Sequence, residues 1–207
     1  MRSAIIFDLD GTLTKPHINF DAIRAEIGIA SGTILEAMEV MSAAQRTRAE
    51  AIVLRHEWEA ARNGSLYEDA GQVLMECRRL GYALGLLTRN SRPVVDFILE
   101  KHALRFDSIR TREDGAVKPS PIPVVSICEE LQADLHRSWV VGDFLYDLIS
   151  GRQAGCHTVL MIGDGPVPEF AGQAEFLIRR LRELPRILVP YPRGQGCSRM
   201  FLSKASP

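Results

Sequence analysis

The chain has 207 residues, 46% of them hydrophobic and 25% charged, a size and composition that allow one globular core with at most a small appendage. Its 25 Lys and Arg against 26 Asp and Glu leave a formal net charge of -1, which excludes the broad basic footprint of a nucleic-acid or acidic-membrane binder. Four cysteines (Cys77, Cys128, Cys156, Cys197) with no paired spacing argue against a disulfide framework or a thiolate metal site. No signal peptide precedes the first apolar run, and no run reaches the length of a membrane span. A soluble, cytoplasmic protein with no membrane or nucleic-acid partner is therefore expected.

The first element is a buried strand, Ala4–Phe7, which ends in Asp8-Leu9-Asp10-Gly11-Thr12. Residues 15–65 then show only helical spacing. Ile18, Phe20, Ile23 and Ile27 mark a short helix capped by Asn19, and Ile34, Leu35, Met38 and Met41 mark a second. Ala51, Leu54, Trp58 and Ala61 give the apolar face of a longer third, closed by Asn63-Gly64-Ser65. Beyond it, Val73, Leu74, Cys77 and Leu80 share a helix face with Gly81 as its stop. A strand at Ala83–Leu87 leads into Thr88-Arg89-Asn90, and a helix follows with Ser91 as its cap and Pro93 in its first turn. Val124, Cys128 and Leu131 repeat the helical spacing after a proline-rich start, and strands are expected at 139–141, 158–162 and 175–178. A short helix at 184–188 ends the pattern.

Strands alternating with helices predict an α/β fold, a Rossmann-like parallel sheet flanked by helices. The expected domains are a core of residues 1–14 and 66–188, a small all-helical cap over 15–65, and a C-terminal tail over 189–207 without periodicity. In such sheets ligands bind beyond the carboxyl ends of the strands, and there the chemically capable residues collect. They are Asp8, Asp10, Thr88, Lys118, Asp143 and Asp147. Asp8 and Asp143 can hold Mg²⁺ through oxygen, while Thr88 and Lys118 can donate to phosphate oxygens. A carboxylate can attack phosphorus, with Asp10 moving the proton and Lys118 supplying positive charge. A calcium loop fits less well, because Gly11 is fourth rather than sixth in its run and a strand precedes it.

These motifs, in this order, resemble the haloacid dehalogenase (HAD) superfamily of Mg²⁺-dependent phosphohydrolases. Asp8–Thr12 matches its first motif, Thr88 the second, Lys118 the third, and Gly142-Asp143 with Asp147 the fourth. The helical stretch matches the cap position of phosphoglycolate phosphatase-like and β-phosphoglucomutase-like members. The resemblance implies Asp8 as nucleophile and metal ligand, and Asp10 as general acid/base that lends a backbone carbonyl to the metal. It further implies phosphate binding by Thr88, Lys118 and the amide of Arg89, direct metal ligation by Asp143, and Asp147 either acting on the metal through water or orienting Lys118. The Arg89 side chain adds a cation beside the site.

The expected function is Mg²⁺-dependent hydrolysis of a small phosphorylated metabolite through an aspartyl-phosphate. The alternatives are a phosphomutase of the β-phosphoglucomutase type and a non-catalytic module that binds a phosphorylated ligand. Lys15, His17, Arg24, Arg46, Arg48, Arg55 and His56 are the candidate substrate contacts from the hinge and cap, with Lys15, His17, Arg55 and His56 foremost.

Overall fold

The computed structural model describes residues 2–188. The expected tail over 189–207, with Cys197, lies outside the described residues. Six strands form one sheet: β1 (Ala4–Phe7), β2 (Ala83–Leu87), β3 (Ser108–Arg110), β4 (Trp139–Gly142), β5 (His157–Met161) and β6 (Phe176–Ile178). All pairs are parallel, in the order β3-β2-β1-β4-β5-β6. The strands are short and apolar on both faces because helices cover both. Along β1, Ile5 and Phe7 enter one apolar cluster while Ala4 and Ile6 enter the other. That alternation is the period-two pleat of a strand buried on both sides.

The first face is covered by α4 (Ala70–Arg79), α5 (Arg92–Lys101) and the terminal α8 (Leu184–Leu188), the second by α6 (Ile122–Glu130). A further helix, α7 (Leu145–Ala154), follows β4. The sequence pattern did not mark α7, nor the three-residue edge strand β3. Two strands are offset from expectation: β5 runs 157–161 and β6 begins at Phe176. The Ser91 hydroxyl forms no capping bond; instead its N–H donates to the Glu57 carboxylate at 3.4 Å.

Between β1 and α4 the chain forms α1 (Phe20–Ile27), α2 (Ile34–Glu39) and α3 (Ala43–Asn63). Asn19 caps α1 by accepting from the Ala22 N–H, as expected. These helices have a small apolar cluster of their own, made of Ile23, Ile34, Met38, Ala49, Ile52 and Val53. The expected face of α3 is therefore only half right. Ala51 is exposed, and Ile52 and Val53 pack on α1 and α2, whereas Leu54, Trp58 and Ala61 lean on the main core. One helix serves two cores, so its apolar stripe shifts halfway along.

The outgoing and returning crossings of this insertion pair with each other. Thr14 bridges Leu66, the Lys15 N–H donates to the Ser65 carbonyl at 2.9 Å, and the Tyr67 N–H donates to the Leu13 carbonyl at 2.9 Å. Lys101 of α5 donates to the carbonyls of Ala61, Arg62 and Gly64 at 2.9–3.0 Å, satisfying the orphan acceptors at the end of α3. No helix among the described residues is long and apolar enough to cross a membrane. The described cysteines, Cys77, Cys128 and Cys156, are free and buried, as expected.

Candidate active site

Strand β1 lies between β2 and β4, where the sheet order reverses, so the carboxyl ends of these three strands open on one crevice. Asp8 is the first residue beyond β1, fixed by its N–H donating to the Val141 carbonyl at 2.9 Å. Thr88 follows β2 and Asp143 follows β4, and both line the same cleft. Asp147 comes from the first turn of α7, and its carboxylate accepts from the Phe144 N–H at 3.1 Å. Lys118 reaches in from the loop before α6 and is buried.

Lys118 is the hub of this floor. Its Nζ donates to Asp8 Oδ1 and to Asp147 Oδ1, each at 2.6 Å. Burial alone would push the amine down, but the Asp147 and Asp8 carboxylates outweigh it and hold it above its ordinary value. Asp8, Asp143 and Asp147 each offer a carboxylate oxygen, all within 4.8 Å of one another. Burial raises all three carboxyls: Asp147 to about 6, Asp143 well above the usual range with Asp8 and Asp147 adding to the rise, and Asp8 against the pull of Lys118. Three carboxylates face one ammonium, which leaves the cluster two positive charges short. An all-oxygen donor set with that deficit fits Mg²⁺. Two glycines make the close approach possible. A Cβ on Gly11, whose φ is +76°, would stand 2.1 Å from Asp143 Oδ2, and one on Gly142 would stand 2.1 Å from the Asp147 carboxyl carbon.

Asp10 stands apart from the trio. Its Oδ2 accepts from Asn90 Nδ2 at 2.5 Å, and its Oδ1 from the Thr14 hydroxyl at 3.3 Å. Burial pushes it up to about 6, with the Asn90 bond pulling the other way. Behind it, α3 contributes Glu57, a buried carboxylate paired with Arg112 and raised by burial against that pairing. Sequence reasoning passed over both Asn90 and Glu57. Glu57 did carry a signal, since Val53, Glu57 and Ala61 lie four residues apart on one buried stripe, where a carboxylate needs a partner.

The cleft continues from this floor up to the helical insertion, with a volume of about 470 Å³. His17 and Arg24 line it, together with Asp8, Asp10, Thr88, Arg89, Lys118, Asp143 and Asp147. Lys15 lies in a small adjoining recess beside Asp10, 4.0 Å from Glu68. Arg55 and His56 are not brought to the cleft; both engage Glu26 of α1, at 2.5 and 3.0 Å. Arg46 turns back to the Met38 and Glu39 carbonyls, and Arg48 is exposed. The Arg89 guanidinium does not point at the floor as a free cation. It is bonded to both Glu36 oxygens at 2.8 Å and lies 5.2 Å over the Tyr146 ring.

A parallel sheet that gathers carboxylates and one lysine at a strand-order reversal, beside a helical insertion, places the chain among the Rossmann-like α/β proteins. Residues 3–155 match the model of the haloacid dehalogenase-like hydrolases, and the chain belongs to that family. It is 32% identical over 167 residues to an uncharacterized hydrolase of Saccharomyces cerevisiae, covering 76% of each chain. It is 26% identical over 216 residues to a plasmid phosphoglycolate phosphatase of Cupriavidus necator, covering 91% of this chain and 94% of that one. A hydrolase from Pseudomonas syringae shares the fold, with a TM-score of 0.76 at 18% identity over 90% of this chain and 98% of that one.

Proposed function

We propose that this protein is a Mg²⁺-dependent phosphatase that hydrolyses a small phosphomonoester through an aspartyl-phosphate on Asp8, with residues 15–65 acting as a cap. The observation that carries the reading is the Lys118 bridge. One buried ammonium touches both Asp8 and Asp147 at 2.6 Å, at the centre of a carboxylate cluster that is still short of positive charge. The phosphoglycolate phosphatase of Cupriavidus necator, similar along nearly its whole length, supports the same reading.

In the first half-reaction an Asp8 oxygen forms a bond to phosphorus, and the bond from phosphorus to the ester oxygen breaks. Asp10, held near neutrality by its burial, gives its proton to the departing oxygen. In the second, water attacks the phosphoryl group on Asp8 and yields its proton to Asp10. The bond from phosphorus to Asp8 breaks, and free phosphate leaves. Lys118 and the Thr88 hydroxyl hold phosphoryl oxygens throughout, while Asp147 keeps the Lys118 ammonium aimed and charged. Asp8 and Asp143, with Asp147 behind them, would hold Mg²⁺, which supplies positive charge against the repulsion between carboxylate and phosphate. Asn90 fixes the Asp10 carboxyl, so the proton is carried at one place.

A phosphate-release screen over small phosphorylated metabolites, with and without EDTA, tests the proposal. Wild type releases phosphate only with Mg²⁺, and Asp8→Asn loses roughly 10³-fold or more of the turnover. Full turnover by Asp8→Asn would overturn the mechanism. An isomerised sugar phosphate in place of free phosphate would mark a phosphomutase, and binding without any turnover a regulatory module.

A further inference from the structure

Beyond the floor, the cleft wall is formed largely by apolar side chains, among them Ile18, Phe20, Ile34, Leu35, Val53 and Phe144. Phe20 and Phe144, both on the cleft lining, are 51% and 47% exposed. A cavity of this size and lining suits the organic part of a ligand. A substrate whose phosphoryl group lies on the floor must place its remaining atoms against this wall.

The wall also carries two arginines, and each has a carboxylate of the chain bonded to it. Arg24 is paired with Asp21 at 2.5 Å and also reaches the Gly32 carbonyl. Arg89 is held by both oxygens of Glu36, each at 2.8 Å, and packs on Tyr146. Arg89 directly follows Thr88 and lines the phosphate end of the cleft, while Glu36 is off the cleft lining and bonded to its guanidinium. A carboxylate arriving there would meet a guanidinium whose Nη2 already holds both Glu36 oxygens, with the Glu36 charge next to it. A like charge at such a place repels, and an unpaired carboxylate against apolar walls loses its hydration.

Resting on the phosphoester reading above, we propose that the cleft takes esters with an uncharged, largely apolar leaving group, and that the Glu36–Arg89 pair excludes leaving groups that carry a carboxylate. Glu36 is then a specificity-determining residue supplied by the insertion. On this proposal the cleft takes phosphoglycolate, the compound named for one similar enzyme, poorly.

Two non-hydrolysable phosphonates test this by calorimetry in the presence of Mg²⁺. They are 3-phenylpropylphosphonate, with an apolar neutral tail, and 3-phosphonopropionate, with a carboxylate in the place it has in phosphoglycolate. Wild type binds the first about tenfold or more tightly than the second, because the apolar tail is buried on the wall and the carboxylate loses its hydration beside Glu36. Glu36→Gln, which leaves Arg89 unneutralised, narrows that ratio by about tenfold, mainly by tightening 3-phosphonopropionate. Glu36→Asp keeps the charge and keeps the wild-type preference. Equal binding of both phosphonates by wild type, as if His17 or an arginine accepted the carboxylate, overturns the proposal. So does an unchanged ratio in a Glu36→Gln protein whose circular dichroism and melting match wild type. Phosphate release from phenethyl phosphate and phosphoglycolate is measured in parallel. Release from neither, with the binding preference as stated, brings down the hydrolytic reading and leaves the binding preference standing.

Discussion

The floor of the cleft and its wall are built from different materials. On the floor, Asp8, Thr88 and Asp143 each follow directly on a buried parallel strand, and Lys118 ties Asp8 to Asp147. The wall draws on short helices with a six-residue apolar cluster of their own, and its charges are closed in pairs, Arg24 with Asp21 and Arg89 with Glu36. Rigid strands fix reacting groups, whereas a small helical unit can change its lining without disturbing them. The difference also lies in where the electrostatic strain sits. The floor holds like charges together at a cost, whereas the two wall arginines each sit against a carboxylate.

If that contrast is right, substitutions on the floor have large effects that do not depend on the ester, and their sign depends on charge. The largest effect on stability is expected from Lys118→Ala, which leaves Asp8 and Asp147 buried without a cation. Urea unfolding in EDTA should show a loss of about 3–5 kcal/mol. A loss below 1 kcal/mol would mean that the floor tolerates its own repulsion, and the contrast would fail. Next, saturating Mg²⁺ should stabilise wild type by about 2–3 kcal/mol at a hundredfold excess over its dissociation constant. Asp143→Asn should lose most of that gain in a melting assay.

A smaller effect concerns pH. The Asp10 carboxyl has its folded value near 6 against an ordinary 3.8, so the folded state holds the extra proton between the two. Stability therefore falls as pH rises from 4 to above 6. Asp10→Asn removes this carboxyl's share of the fall and should be more stable than wild type at pH 7.5 in EDTA by roughly 1–2 kcal/mol, with the gap closing near pH 4. The smallest effect lies away from the cleft, where His157 at the start of β5 bonds Glu175 at 2.7 Å. The Glu175 bond raises His157, so its contribution is full below the ordinary histidine value and fades as pH rises through the folded one. Both side chains are largely exposed, so Glu175→Gln should cost about 0.5 kcal/mol or less at pH 5.5 and nothing at pH 9.

The floor was legible in the sequence because each of its residues directly follows or precedes a periodic element, and strand ends of a parallel sheet converge. Asp8, Thr88, Lys118 and Asp143 could be picked out one by one and then found together. The wall was not legible in this way. Glu36 reads as an ordinary solvated charge on a short helix, and only tertiary structure brings it to Arg89. Arg55 and His56 read as equally plausible cleft residues, yet the turn of α3 carries them to Glu26 instead. Strand β3 escaped notice because Ser108-Ile109-Arg110 is three residues long and half polar, and pairing with β2 alone defines it. The helical character of residues 15–65 was clear, but which face of α3 met which core depended on two clusters competing for one helix.

The two crossings of the insertion, hydrogen-bonded to each other through Thr14, Lys15, Ser65 and Leu66 and pinned by Lys101, have a consequence for how such a chain diversifies. The excursion leaves and returns through a single doorway whose two jambs hold each other in place. Any stretch of chain whose ends meet at that spacing can be spliced in without rethreading the sheet. A new cleft wall can then be acquired by exchanging one contiguous segment of the gene, while the residues of the floor are inherited untouched.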